Sequence, residues 1–535
     1  MLIETDSYDQ LYRDFRWDIP PRFNMAVACC DRHADGSNRL ALIYVDEDGG
    51  ARRTSFDEMR AFSCRFANVL EADGLSRGDR VAVFLSQSLE LPIAHLAAWR
   101  AGLVSVPLFT LFGEDALQFR LQNSGAKAVV TDEGGWEKLA KIRDRLPELK
   151  HIHVAGRASA GTKSFWSAIE AASDSHTAVD TSCDDPAIII YTSGTTGNPK
   201  GALHAHRVLL GHLPNIEMVH GFFPKPGDVM WTPADWAWIG GLFDALFPAW
   251  YHGVPVVGHR AKKFEPQAAM QLLADHGVRV VFLPPTALKL MRQAGVKHPG
   301  VKLRSMLSGG ESLGAELLDW VRATFGIDVH EIYGQTECNL VVGCNSKLFT
   351  IRPGAMGKAT PGFDVRIVSD KGEELPRGER GIIGVRQPNP CTMLEYWSNP
   401  EATAKKYAGG FLLTGDLGRQ DEDGYFWYMS REDDVITSAG YRIGPSEIED
   451  TLLKHPAVAL SAVVGIPDPI RTEAVKAWIV LRPGFAPSEE LAREIQDFVK
   501  VQLAAHEYPR HVEFAETLPM TATGKVLRRE LRARG

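Results

Sequence analysis

No uninterrupted apolar run in these 535 residues approaches the ~18 that a membrane-crossing helix requires. Cysteine is sparse: there are seven, an odd number, and none falls in a Cys-x-x-Cys pair. That excludes a disulfide framework and a thiolate zinc site, and it fits scattered reduced thiols in the cytoplasm. Blocks of basic charge are missing and the formal net charge is −8, so nucleic acid is not an expected partner. The first twenty residues hold Glu4, Asp6, Asp9, Asp14 and Asp18, against the composition of a secretory or transit leader. Internal repeats and low-complexity tracts are absent as well. What remains is an ordinary globular composition, long enough for about three or four folding units.

The most informative stretch is Tyr191-Thr-Ser-Gly-Thr-Thr-Gly-Asn-Pro-Lys-Gly201. It follows Pro186-Ala-Ile-Ile-Ile190, which reads as a buried strand. Gly194, Gly197 and Gly201 free the backbone so that successive N–H groups converge on an anion. Thr192, Ser193, Thr195 and Thr196 add neutral donors, and Lys200 adds a full charge. This equipment suits a polyphosphate, although the spacing is not that of a Walker A loop.

The rest of the chain alternates period-3.6 and period-2 patterns. Residues 56–75, 91–99 and 204–218 are predicted helices, and 80–85, 127–131, 278–283, 305–308 and 329–332 are predicted strands. Such alternation argues for parallel sheets with helices on their faces. Residues 357–430 carry short strands and turns, as in a small β-barrel or sheet, and the last hundred residues read as a separate α+β unit. His204 and His206, on the helix predicted over 204–218, are read first as packed structural residues. Paired aromatics and glycines in Trp231-Thr-Pro-Ala-Asp-Trp-Ala-Trp-Ile-Gly-Gly241 suit the wall of an apolar pocket.

Several further segments share one order along the chain: Gly309-Gly-Glu-Ser312, Tyr333-Gly-Gln-Thr-Glu337, Thr414-Gly-Asp416, Ser430-Arg-Glu-Asp433, Ala439-Gly-Tyr-Arg442, Pro467-Asp-Pro-Ile-Arg471, Tyr508-Pro-Arg510 and Leu518-Pro-Met-Thr-Ala-Thr-Gly-Lys525. Through nearly its whole length the chain resembles the adenylate-forming superfamily, most of all its acetyl-CoA and medium-chain acyl-CoA synthetases. Three positions depart from the usual pattern: Ser430 and Thr472 stand where glycine is common, and Ala439 where serine is common.

The resemblance implies an α/β fold: a large N-terminal adenylation domain over 1–432, built of stacked α/β subdomains and a small β-barrel, hinged at Asp433 to a small α+β domain over 433–535. It implies a ligase using ATP, Mg²⁺ and coenzyme A on a carboxylic acid. Residues 192–200 would hold phosphates, Gly310, Glu311 and Ser312 would pack on the adenine, and Tyr333, Gly334 and Gln335 would also bind the nucleotide. Thr336 would meet the α-phosphate and Glu337 the magnesium, and a hard cation does favour carboxylate oxygen. Asp416 and Arg431 would take the ribose. Gly440, Tyr441, Arg442, Arg471, Tyr508 and Arg510 would serve the coenzyme A arm, and Lys525 would be the catalytic lysine. Trp236, Trp238, Gly240 and Gly334 would border the acyl pocket. Gly334, with no side chain, is expected to leave that pocket open for a short- or medium-chain, branched or aromatic acid. Lys525 is also expected to be a target for a lysine acetyltransferase. A luciferase-like or carrier-loading enzyme shares these motifs, and a non-catalytic nucleotide-binding regulator is the reading from another class. Oligomeric state is not legible.

Overall fold

Runs of β-branched residues build two sheets in the first part of the chain. In one, the strands Val329–Tyr333, Ser305–Gly309, Val280–Phe282, Met230–Trp231, Val256–His259 and Leu40–Val45 lie side by side and all run parallel. Antiparallel strands Ala51–Ser55 and Val342–Gly343 flank this parallel core. The other sheet places Pro186–Thr192 between Val104–Pro107, which runs parallel to it, and Lys200–Ala205, which runs antiparallel. The centres of the strands are buried, as near-continuous apolar runs predict.

The computed structural model describes the chain except residues 193–198, 262, 311–312, 432–433, 439–440, 469–471, 503–507 and 522–524, and the side chains of Thr437, Tyr441, Arg442 and Glu447. Its contacts divide into two units: Met1–Asp364 with Arg386–Lys406, and Val365–Val385 with Tyr407–Gly535. The boundary expected from sequence, between 432 and 433, lies outside the described residues. Among the described residues no helix is long and apolar enough to cross a membrane.

Helices cover the sheets of the first unit for reasons visible locally. Phe56–Ala72 opens on a capping box, in which the Ser55 side chain receives the Glu58 N–H and the Glu58 carboxylate receives the Ser55 N–H. It then buries Phe56, Met59, Phe66, Ala67 and Leu70 on one face. One prediction needs correction: residues 200–205 form a strand, and the helix begins only at Val208. Apolar spacing alone did not reveal that 200–205 pairs antiparallel with Pro186–Thr192.

In the second unit, Val365–Val368, Arg380–Arg386, Phe411–Gln420 and Phe426–Arg431 form an antiparallel sheet. Beyond it, Val458–Asp468 and Thr472–Leu481 make a long hairpin, joined by Ile436–Ser438, Tyr441–Ile443 and His511–Phe514. Helix Glu489–Gln502 places Leu491, Ile495 and Val499 four apart on this sheet, a one-sided apolar stripe. The opposite face packs Trp478 and Val464 against Leu518 and Leu531.

Candidate active site

Four parallel strands of the first unit deliver the sequence motifs to one edge. Met230–Trp231 leads into 232–241, Val280–Phe282 into Leu283-Pro284, Ser305–Gly309 into Gly310, and Val329–Tyr333 into Gly334-Gln335-Thr336-Glu337. The carboxyl ends of parallel strands are where open α/β sheets bind ligands. Gly309 is required by the pairing itself: a β-carbon there would lie 2.5 Å from Ile332 Cγ1 and 2.7 Å from the Ile332 carbonyl.

The hairpin that frames residues 193–198 holds the Thr-Glu motif from below. Thr192 and Lys200 are register partners at its mouth. His204 is fully buried, and its Nε2 lies 2.8 Å from the Thr336 carbonyl oxygen. A carbonyl only accepts, so Nε2 carries the proton. Burial pushes the imidazole down to about 4, so it stays neutral. His204 is thus a support beneath Thr336, in line with its structural reading.

A third segment closes this arrangement. Strand Glu395–Tyr396 pairs with Lys200–Ala205, and the Met393 N–H donates to the Glu337 carbonyl at 2.8 Å. The Tyr396 hydroxyl donates to Glu337 Oε1, and the Tyr396 ring sits 5.2 Å from the Lys200 ammonium. Glu337 Oε2 has no hydrogen-bond partner among the described residues. Sequence reading missed Tyr396, because a tyrosine in Glu-Tyr-Trp-Ser-Asn-Pro carries only turn signals.

Two pocket expectations fail. Trp236 is wholly buried; a β-carbon at Gly258 would lie 2.9 Å from its ring, so the indole fills the core and offers no surface to a ligand. The space beside Gly334 is occupied rather than open: a β-carbon there would lie 2.1 Å from the Leu340 nitrogen and 2.9 Å from the Asn339 carbonyl carbon. The missing side chain admits the returning backbone of the same loop. Trp238 and Gly240 remain half-buried, and the Trp238 ring meets Phe109 edge-on at 6.2 Å. Asp235, whose Oδ1 accepts the Ala237 N–H at 2.7 Å, is pushed up to about 7 by burial.

In the second unit Asp416 and Arg431 are register partners, with Arg431 Nη1 3.5 Å from Asp416 Oδ1. The Thr414 hydroxyl receives the Asp416 N–H and donates to the Ile383 carbonyl, which fixes the carboxylate's backbone. Lys525 is exposed, and Thr521 grips its backbone on both sides: the Lys525 N–H donates to Thr521 Oγ1, and the Thr521 N–H to the Lys525 carbonyl. Three residues on, Arg528 lies between Glu449 at 2.7 Å and Asp434 at 3.2 Å, so the lysine loop is tied to the residue that follows the expected hinge. Arg510 stacks on the Tyr508 ring at 4.2 Å and donates to its hydroxyl. Thr472 has φ of 74°. Ser193, Gly194, Thr195, Thr196, Gly197, Glu311, Ser312, Asp433, Gly440 and Arg471 lie outside the described residues, as do the side chains of Tyr441 and Arg442.

The AMP-binding enzyme family matches residues 30–397, and the AMP-binding enzyme C-terminal domain matches residues 447–525. Acyl-coenzyme A synthetase ACSM3, mitochondrial, of Mus musculus is 39% identical over 545 residues, covering 98% of this chain and 93% of that protein. The acetyl-coenzyme A synthetase of Bacillus subtilis is 37% identical over 549 residues, covering 98% and 95%. Among solved structures, the anthranilate CoA ligase AuaEII in complex with anthranoyl-AMP superposes with a TM-score of 0.88 at 29% identity, covering 97% of this chain and 98% of that one. The chain therefore belongs to the AMP-binding enzyme family, as an AMP-forming acyl-CoA synthetase that makes an acyl-adenylate from ATP and then passes the acyl group to coenzyme A.

Proposed function

We propose that the enzyme activates an acid of about four carbons or more, branched and aromatic acids included, and that the residues above divide the work. The observation that carries the assignment is the Lys200–Tyr396–Glu337 contact, which joins the phosphate-loop lysine to the Thr-Glu motif. Residues 192–200 hold the β- and γ-phosphates. Thr336 positions the α-phosphate for attack by the acid's carboxylate, and pyrophosphate leaves. Such transfer needs alignment and charge neutralisation more than covalent help. Gly310, Glu311 and Ser312 pack on the adenine, Tyr333, Gly334 and Gln335 also bind the nucleotide, and Asp416 with Arg431 takes the ribose, since a carboxylate accepts from two hydroxyls at once.

Glu337 suits a magnesium ion: it is a hard oxygen donor with Oε1 fixed by Tyr396 and Oε2 unengaged among the described residues. When bound, the ion would neutralise charge on the phosphate oxygens. Lys525 serves the first half-reaction by stabilising charge as the carboxylate and phosphate oxygens rearrange. A domain over 433–535, turning about Asp433, then withdraws Lys525 and brings Gly440, Tyr441 and Arg442 to the pantetheine arm, with Arg471, Tyr508 and Arg510 on the rest of coenzyme A.

The chain-length assignment rests on Trp238 and Ile239, apolar and half-buried at the strand edge. Each further methylene buried there gains about 0.8 kcal/mol. The named relatives act on acids as different as acetate and anthranilate, so family membership alone does not set the acid. Seven free, buried cysteines support a reducing compartment, hence the cytoplasm. The exposure of Lys525 supports its modification by an acetyltransferase, which would remove the charge of the first step.

The test is acid-dependent pyrophosphate exchange over acetate, butyrate, hexanoate, branched acids and benzoate. We expect exchange with the larger acids and little with acetate. Preference for acetate would overturn the chain-length assignment.

A further inference from the structure

Beside the proposed acyl wall lies a buried polar relay that the adenylation chemistry does not use. His212, Asn339 and Asp244 are respectively 0%, 5% and 3% exposed. His212 Nδ1 lies 2.7 Å from the Val208 carbonyl, so that nitrogen holds the imidazole's proton and Nε2 is an acceptor. Asn339 Nδ2 lies 2.8 Å from His212 Nε2 and 2.6 Å from Asp244 Oδ1, and its two N–H groups are thereby both used. Asp244 Oδ1 is therefore an acceptor, and Oδ2 is the free end of the relay: it has no partner among the described residues.

The direction of that free end is set by the helix. Leu242–Leu246 is a π-helical turn between Ile239–Gly241 and Phe247–Tyr251, a distortion common where a side chain is re-aimed for function. A β-carbon at Gly240 would lie 3.3 Å from Asp244 Oδ2 and 3.0 Å from Phe282 Cε1. Oδ2 therefore borders the half-buried Gly240, whose missing side chain lets Oδ2 and the Phe282 ring come close to the backbone there. Burial raises the Asp244 carboxyl well above the usual carboxylate range, against the Asn339 hydrogen bond, which favours its protonated form. Because Oδ1 accepts from Asn339, Oδ2 is the oxygen that carries the proton in that form.

We infer that Asp244 Oδ2 is a specificity-determining group that recognises a neutral oxygen substituent, hydroxyl or carbonyl, on the acyl group of the acid. This rests on the reading of Trp238 and Gly240 as the acyl wall. A plain alkyl or aryl group against Oδ2 would leave a buried donor unpaired, and sites built around such a group discriminate strongly against analogues lacking the partner. A hydroxyl or keto oxygen restores the bond.

The experiment measures thioester formation by the full-length enzyme with ATP, magnesium and coenzyme A. Acids are supplied as size-matched pairs: pentanoate with 4-oxopentanoate, hexanoate with 5-hydroxyhexanoate, and benzoate with 3-hydroxybenzoate. The expected result is a kcat/KM at least about tenfold higher for the oxygenated member of one or more pairs. In Asp244→Leu this ratio should collapse while KM for ATP is unchanged. In Asp244→Asn, whose amide still donates, part of the preference should survive. Preference for the plain acid in every pair, or an equal ratio in wild type and Asp244→Leu, overturns the inference and leaves the ligase reading standing. The same holds if the only acids used in a wider screen lack an oxygen substituent. Failure of every acid to drive pyrophosphate exchange would instead sink the ligase reading on which the inference depends. The wild-type ratios decide the question even if Asp244→Leu does not fold.

Discussion

The Tyr396 hydroxyl donates to the Glu337 carboxylate while the Tyr396 ring faces the Lys200 ammonium at 5.2 Å. One side chain thus holds the carboxylate proposed for magnesium and meets the cation at the mouth of the loop proposed for the phosphates. Tyr396→Phe keeps the ring and removes only the hydroxyl. Hydrogen bonds to charged groups contribute about 1.5–3 kcal/mol, so a loss of about tenfold or more in pyrophosphate exchange is expected. The magnesium concentration for half-maximal rate should rise, with KM for the acid unchanged. An unaltered magnesium dependence would show that Tyr396 does not position Glu337.

Gly334 yields a prediction opposite to the one its sequence context suggests. Gly334→Trp would have been expected to shorten the acyl pocket selectively. Because a β-carbon already lies 2.1 Å from the Leu340 nitrogen, Gly334→Ala should displace the loop and depress kcat/KM for every acid alike. A clean shift of preference towards acetate in either variant would refute this.

The half-reactions should separate genetically. Lys525→Ala is expected to abolish pyrophosphate exchange yet still convert supplied acyl-adenylate to thioester. Gly440→Leu should do the reverse, by obstructing the thiol's approach. If both variants lose the same half-reaction, the exchange of Lys525 for Gly440 at one site is wrong.

Acid should destabilise the fold through buried histidines. Burial holds His204 down to about 4, and His206 and His212 down to about 3. Below about pH 6.5 the unfolded chain binds protons there that the folded chain refuses, so stability falls as pH falls from 6.5 towards 4. Each histidine contributes about 1.4 kcal/mol per pH unit in that window. Urea midpoints followed by tryptophan fluorescence should drop between pH 7.5 and 5.5. A flat profile would contradict the buried, neutral assignment.

Thr472 occupies a left-handed backbone conformation, φ 74°, that costs a β-branched residue about 1–2 kcal/mol and glycine almost nothing. Thr472→Gly should therefore raise the urea midpoint, although glycine loses part of that gain through a more flexible unfolded chain. A lower midpoint would mean that Thr472 makes contacts worth more than its strain.

The sequence by itself determined the enzyme class and the order of its parts. Apolar runs such as Ala187-Ile-Ile-Ile190 mark strands because burial on both faces demands it, and Leu491, Ile495 and Val499 mark a helix face because they recur every four residues. Gly-rich loops and single acids or bases in motifs are legible in sequence because the chemistry expected of them is local. Only the tertiary structure decided what lies beside those motifs. Tyr396 reaches Glu337 across 59 positions of sequence and His204 reaches Thr336 across 132, through strand pairings that no local period encodes. The same folding put Trp236 in the core, filled the space at Gly334 with the backbone of 339–340, and aimed Asp244 at Gly240 through a π-helical turn. Periodicity reports which face of an element is buried, whereas the neighbour across that face is fixed by which strands pair and in what register.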